Sequence, residues 1–215
     1  MKGFEALVRI KDKDGTIYPP YVFIDMLEES KFLLDFEKWL VNKIYKQTKK
    51  WNKLLSFNIS LNDFTNEEFI EYLLNFNFEN MAIMELTERI FAQDLEKIKT
   101  TLTKLREKDR LKIAIDDFGT EYSSLRYIKE LPLDELKIDI SFIKTITQDY
   151  RNRALVETII LLSNRLGFIT VAEGVETEEH LKILQDMGCN FVQGYLLGKP
   201  MPEKDAERLI EEQAK

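Results

Sequence analysis

From Leu54 onward, short apolar runs rich in Ile, Val and Phe alternate with longer stretches of helical periodicity, and most of those runs end on a carboxylate or an amide. That alternation is the pattern of repeated βα units. The expected strands are Leu54–Asn58, Met81–Leu86, Leu111–Asp116, Glu135–Asp139, Phe168–Glu173 and Asn190–Gln193, with an earlier one over Gly3–Arg9. Seven strands with intervening helices fit a doubly wound sheet or a closed β/α barrel. The chain has no Gly-rich phosphate loop of the G-x-G-x-x-G or Walker type to favour the former, so we read an α/β fold of the barrel kind.

The helices carry their own signals. Thr65 and Glu68 form a T-x-x-E capping box, which predicts a helix beginning near Asn66. Leu33, Phe36, Leu40 and Ile44 mark a helix followed by the polar Lys46–Lys50 stretch. Leu95, Ile98, Leu102 and Leu105 share one helical face, as do Leu155, Ile159, Leu162 and Leu166, and each stripe needs a sheet to cover it. Thr177 ahead of Leu181 and Leu184, with Gly188 beyond, reads as a capped helix with a glycine stop.

At 215 residues, 44% hydrophobic and without a break in composition, residues 1–215 read as one domain with one core. No apolar run approaches the roughly 18 residues of a membrane helix, and no signal-peptide pattern opens the chain. A single cysteine, Cys189, leaves no internal disulfide framework, so the expected location is the cytoplasm. The net charge of -7 argues against a DNA or RNA duplex as partner, since broad nucleic-acid binding draws on clustered Lys and Arg. A small phosphorylated ligand remains compatible with it, because bound divalent cations reverse the potential of an acidic pocket.

Asn58, Glu85, Asp116, Asp139, Glu173 and Gln193 each stand at or just after the last apolar residue of an expected strand. One such residue is ordinarily a helix cap or turn former. Six are harder to dismiss, because the C-terminal strand ends of a β/α barrel converge on one mouth. Carboxylates forced together raise one another's pKa, so the cluster is easiest to explain if it holds metal. Carboxylate and amide oxygens suit hard Mg²⁺ or Mn²⁺, whereas zinc recruits His or Cys. The one histidine, His180, falls inside the expected Thr177–Met187 helix and reads as a packing or surface residue, and Cys189 reads as a small buried one. Adjacent Asp116 and Asp117 suit a bridge between two ions, and ions about 3.5–4 Å apart serve phosphodiester hydrolysis.

The segments Glu5-Ala6-Leu7-Val8-Arg9, Phe57-Asn58-Ile59-Ser60, Glu85-Leu86-Thr87-Glu88, Asp116-Asp117-Phe118-Gly119-Thr120, Lys137-Ile138-Asp139, Glu173-Gly174-Val175-Glu176 and Gln193-Gly194-Tyr195 follow one another across nearly the whole chain. In that order they resemble the signature of the EAL family of cyclic di-GMP phosphodiesterases. The resemblance implies a TIM-barrel-like (β/α)8 EAL fold that hydrolyses cyclic di-GMP to linear pGpG with two divalent cations, Mg²⁺ or Mn²⁺. It also implies roles. Glu5, Asn58, Glu85 and Asp116 would bind one metal, with Asp116 shared and Asp117 on the second. Glu173 would help at the second metal or act as the base on the attacking water. Lys137 would position that water or stabilise charge on the phosphate. Leu7 and Arg9 match positions that contact the dinucleotide, and Asp139, Glu176 and Gln193 match further pocket positions. Glu88 would anchor the loop after Asp117. The implied partners are cyclic di-GMP, a second copy in a homodimer, and an upstream sensor or GGDEF domain in a longer protein.

Two departures from the family pattern shape the expectations. The family usually reads D-D-F-G-T-G-Y-S-S-L, and this chain has Glu121 in place of the second glycine. The family also begins with a strand reading Y-Q-P well ahead of E-A-L, while four residues precede Glu5 here. We therefore expect about seven strands, because the N-terminal strand is absent, and a gap between the strand bearing Glu5 and the one ending at Gln193. Two other readings compete. A receptor that binds cyclic di-GMP without cleaving it would usually have lost acidic motif residues, and none is lost here. A metal-dependent barrel acting on carbon acids would not explain the ordered motifs.

Overall fold

The computed structural model describes residues 1–120 and 125–213. Its strands are β1 (Gly3–Ala6), β2 (Ile10–Lys11), β3 (Ile17–Tyr18), β4 (Leu54–Asn58), β5 (Ala82–Thr87), β6 (Leu111–Phe118), β7 (Glu135–Ile138), β8 (Ile169–Ala172) and β9 (Phe191–Val192). β2 and β3 form a small antiparallel hairpin that the sequence reading did not anticipate. The other seven make one parallel sheet in the order β1-β4-β5-β6-β7-β8-β9. With its helices it is a curled, TIM-barrel-like half-barrel of the (β/α)8 kind lacking one strand. β1 and β9 are its two edges and do not pair with each other, which is the expected gap.

Side chains alternate across each strand, and the alternation sorts them by chemistry. Leu55 and Phe57 of β4, Met84 and Leu86 of β5, Ile113 and Ile115 of β6, and Leu136 and Ile138 of β7 join the apolar core. Fully burying each such side chain contributes roughly 1.5–3 kcal/mol. The residues between them, among them Ser56, Glu85, Asp116, Glu135 and Lys137, line a central cavity of about 1480 Å³. One strand face therefore builds the fold and the other builds the site.

The helices depart from expectation in instructive ways. The Leu33–Trp51 helix runs through the Lys46–Lys50 stretch instead of stopping before it. Its basic last turns find acids, with Lys49 Nζ 2.8 Å from Glu79 and Lys50 paired with Glu207, and Asn52 ends it at φ 49°. The Glu67–Asn75 helix is capped by Asn66, not Thr65. Asn66 Oδ1 accepts from the Glu68 and Phe69 N–H groups at 2.9 and 3.4 Å, while the Thr65 hydroxyl donates to Asn62 O. Glu68 pairs with Lys38 at 2.6 Å, so the expected box does not close.

In the Tyr150–Leu166 helix the buried face is Val156, Ile159, Ile160 and Ser163. Leu155 and Leu166 are exposed, so the leucine stripe was one residue out of phase with the packed one. The Leu95–Arg106 helix buries Ile98, Leu102 and Leu105 as its periodicity predicts. Thr177 caps the Glu178–Asp186 helix by accepting from His180 N–H at 3.1 Å, and His180 itself is buried. A final helix, Glu203–Gln213, was missed because it buries only Ala206. Polar contacts hold it, with Glu203 2.8 Å from Lys43 Nζ and Trp51 Nε1 donating to Glu207 at 3.1 Å. Glu121 lies outside the described residues. Among those described, no helix is long and apolar enough to cross a membrane.

Candidate active site

The strand ends deliver their polar groups through specific backbone features. β6 pairs with β7 through a register shift between Ile115 and Phe118, and Asp117 within it takes φ 54°. Asp tolerates that left-handed conformation better than most residues, and such an irregularity re-aims side chains. Asp116, Asp117 and Glu173 consequently each offer a carboxylate oxygen within 4.8 Å of the others. Gly174 follows Glu173 at φ 70°, where a Cβ would lie 2.1 Å from Ile140 Cγ1, so the chain leaves the mouth by a turn that only glycine fits.

Lys137 stands at the centre, 2% exposed. Its Nζ lies 2.8 Å from Glu173 Oε1, 3.0 Å from Asp116 Oδ1, 3.0 Å from Glu85 Oε2 and 4.0 Å from Glu5 Oε2. Asn58 Nδ2 donates to Glu5 Oε1 at 3.1 Å. From the other edge of the open sheet, Gln193 Nε2 donates to Glu5 Oε2. Four strand ends thus converge on one ammonium, and Gln193 reaches across the gap to close the ring.

The charges do not balance. Burial pushes the Glu85 carboxyl up; Lys137 opposes the shift, and Glu5 and Asp116 add to it. Glu173 is raised for the same leading reason, with Lys137 again opposing. Burial lifts Asp117 to about 6, reinforced by Asp116 and Asp139. Burial alone would lower Lys137, but the carboxylates of Glu85, Asp116, Glu173 and Glu5 together hold it well above its ordinary value. One ammonium cannot neutralise so many buried acids.

That surplus is what a cation site needs. Glu85 Oε2 is buried and makes no well-aligned hydrogen bond, and the ammonium 3.0 Å from it is shared with Asp116, Glu173 and Glu5. An under-satisfied buried oxygen beside three convergent carboxylates, with no His or Cys in the set, fits a hard divalent ion. Glu5, Asn58, Glu85, Asp116, Asp117 and Glu173 are the residues positioned to hold one or two.

Of the remaining residues singled out from the sequence, Leu7, Arg9, Glu176 and Gln193 line the cavity. Leu7 is 42% exposed because β1 ends at Ala6 rather than at Arg9. Asp139 is an N-cap, its Oδ1 accepting from Ser141 N–H at 2.9 Å, and it also touches Asp117. Glu88 is buried, and its Oε2 accepts from Gly119 N–H at 3.2 Å, just after the paired aspartates. Sequence reasoning passed over Glu135, buried inside the barrel, although the alternation Glu135-Leu136-Lys137 would have put it on the face of Lys137.

The fold and the site together define a class, an open parallel β/α barrel with an acidic, lysine-centred mouth. Within that class the chain belongs to the EAL domain family, which matches residues 1–200. It is 33% identical over 223 residues to Signaling protein YkoW of Bacillus subtilis, covering 99% of this chain and 28% of that protein. It is 34% identical over 221 residues to the bifunctional diguanylate cyclase/cyclic di-GMP phosphodiesterase MucR of Pseudomonas aeruginosa, covering 98% of this chain and 32% of that one. The chain therefore spans about a third of the length of the curated relatives it matches. Among solved structures it resembles the MucR phosphodiesterase in complex with c-di-GMP, with TM-score 0.87, 34% identity, and coverage of 96% of this chain and 87% of that one. An EAL domain protein from Listeria monocytogenes gives TM-score 0.84 at 29% identity, covering 96% of this chain and 85% of that one.

Proposed function

We propose that this chain binds cyclic di-GMP in the mouth of the barrel and hydrolyses one of its phosphodiester bonds to give linear pGpG, using two divalent cations, Mg²⁺ or Mn²⁺. The observation that carries this reading is the uncompensated set of carboxylates around Lys137, with Asp116, Asp117 and Glu173 within 4.8 Å of one another. The names of the relatives support the choice of substrate, because two of them, MucR and PA2567, are called cyclic di-GMP phosphodiesterases.

Glu5, Asn58, Glu85 and Asp116 would hold one cation, and Asp117 with Asp116 the other. When bound, the cations supply charge neutralisation at the phosphate and lower the pKa of a water. Lys137 orients that water against the phosphorus, and Glu173, 2.8 Å from the ammonium, takes its proton. The water oxygen bonds to phosphorus as the P–O3′ bond breaks, and the departing 3′-oxygen takes a proton from solvent, leaving a 5′-phosphate and a 3′-hydroxyl. Leu7, Arg9, Glu176 and Gln193, which line the cavity, hold the dinucleotide. Asp139 supports Asp117, and Glu88 anchors the following loop through Gly119.

The direct test is incubation of the purified chain with cyclic di-GMP and Mg²⁺ or Mn²⁺. Formation of pGpG that stops in EDTA is expected. Binding of cyclic di-GMP without any pGpG would instead leave a receptor.

A further inference from the structure

Glu135 opens β7, two residues before Lys137 and on the same inner face, and it lines the cavity. Its strand neighbours are Ala114 on β6 and Ile169 on β8, both apolar. It is 8% exposed, and among the described residues no hydrogen bond or ion pair reaches its carboxylate. A branched apolar residue would occupy that slot without the desolvation cost a carboxylate carries. The proposed reaction gives it no task so far.

Charges facing this slot come from every neighbouring strand. Those that act on Glu135 are Lys137 on β7, Asp134 just before β7 and Asp116 on β6, and Lys112 on β6, Glu85 on β5 and Glu173 after β8 line the same cavity. Lys112 is taken by Asp134 at 3.3 Å, which leaves Lys137 as the cation for Glu135. Burial pushes the Glu135 carboxyl up to about 7, and Lys137 is the group that pulls it back.

The arrangement around Lys137 cannot survive cation binding unchanged. Once Glu5, Glu85 and Asp116 turn their oxygens to divalent ions, the ammonium keeps Glu173 alone of the four carboxylates that now hold it and meets positive charge in place of the other three. Glu135 is the inward carboxylate below the ring, outside that ligand set.

We infer that Glu135 is a positioning residue, the counter-charge that holds the Lys137 ammonium in place when cations occupy the carboxylates around it. The inference rests on the proposed function, and its test separates the two. Crystal structures of the wild-type chain and of Glu135→Gln, each with Mn²⁺, show where Nζ goes, and steady-state kinetics on cyclic di-GMP accompany them. In the wild type, Nζ should approach the Glu135 carboxylate to about 4 Å or less, the limit for an ion pair. In Glu135→Gln it should move away, with kcat falling about tenfold while KM stays within about twofold. Glu135→Asp should recover part of kcat. A wild type that takes up no Mn²⁺ overturns the proposed function and this inference with it. Mn²⁺ uptake with Nζ in the same place in both proteins, or an unchanged kcat in the variant, overturns the inference alone. So does a loss of kcat that follows only a lower unfolding temperature, for that would make Glu135 a packing residue.

Discussion

Asp134 at the base and the carboxylates at the mouth are compensated in opposite ways. At the base, Asp134 accepts from Ile113 N–H at 3.1 Å and faces Lys112 at 3.3 Å and Arg106 at 3.4 Å, so a single carboxylate has three partners. At the mouth, four carboxylates share Lys137, and Glu85 Oε2 makes no well-aligned hydrogen bond. The base spends its polar groups on holding β6 to β7. The mouth stores a charge imbalance that bound protons or a cation would relieve. Stability and function are thus separated along the length of the same strands.

The contrast breaks most visibly at the mouth. Glu85→Ala or Asp116→Ala should lower the rate of cyclic di-GMP hydrolysis by orders of magnitude, while the metal-free variants unfold no earlier than the wild type. Wild-type turnover in either variant would remove the proposed site. At the base the expected pattern is reversed. Asp134→Ala should cost about 1–3 kcal/mol of stability by orphaning Ile113 N–H, measured by denaturant unfolding, with kcat/KM within about twofold. Loss of activity without loss of stability there would erase the distinction between the ends.

A smaller effect sharpens the comparison through pH. The folded-state pKa values of Asp117 and Glu135 stand at about 6 and about 7, above those of free carboxyls. The folded chain therefore binds more protons than the unfolded one between about pH 4 and those values, and stability falls as pH rises through that window. The unfolding temperature of metal-free protein should drop from about pH 5 to pH 7.5. Mn²⁺ should flatten or reverse that slope, since cations replace the protons. A metal-free profile that rises with pH over this range would contradict the imbalance.

Much of this was legible in the sequence, for reasons that can be named. β4 is Leu54–Asn58 as its apolar run predicts, because a strand with a buried outer face writes a continuous signal. The β2–β3 hairpin has two-residue strands and the Glu203–Gln213 helix buries one alanine, so neither leaves a periodic pattern. The strand-end acids could be named from their spacing. Their meeting on Lys137 could not, because a lysine between Leu136 and Ile138 advertises an inward position but not what surrounds it. The cap at Asn66 instead of Thr65 turned on one residue of phase, which composition does not encode.

Glu5 differs from the other candidate ligands in one mechanical respect. It rides on β1, an edge of the open sheet, whereas Glu85 and Asp116 ride on strands flanked on both sides. Backbone amides of Gly3–Ala6 should exchange with solvent sooner than those of Leu111–Asp116, because one strand neighbour restrains them instead of two. The ring of acids therefore has a stiff arc on β5 and β6 and a compliant one at β1, which Gln193 ties to the opposite edge of the sheet. Whatever lies against the free edge of β1 grips the compliant arc, and it gains leverage over Glu5 without entering the mouth.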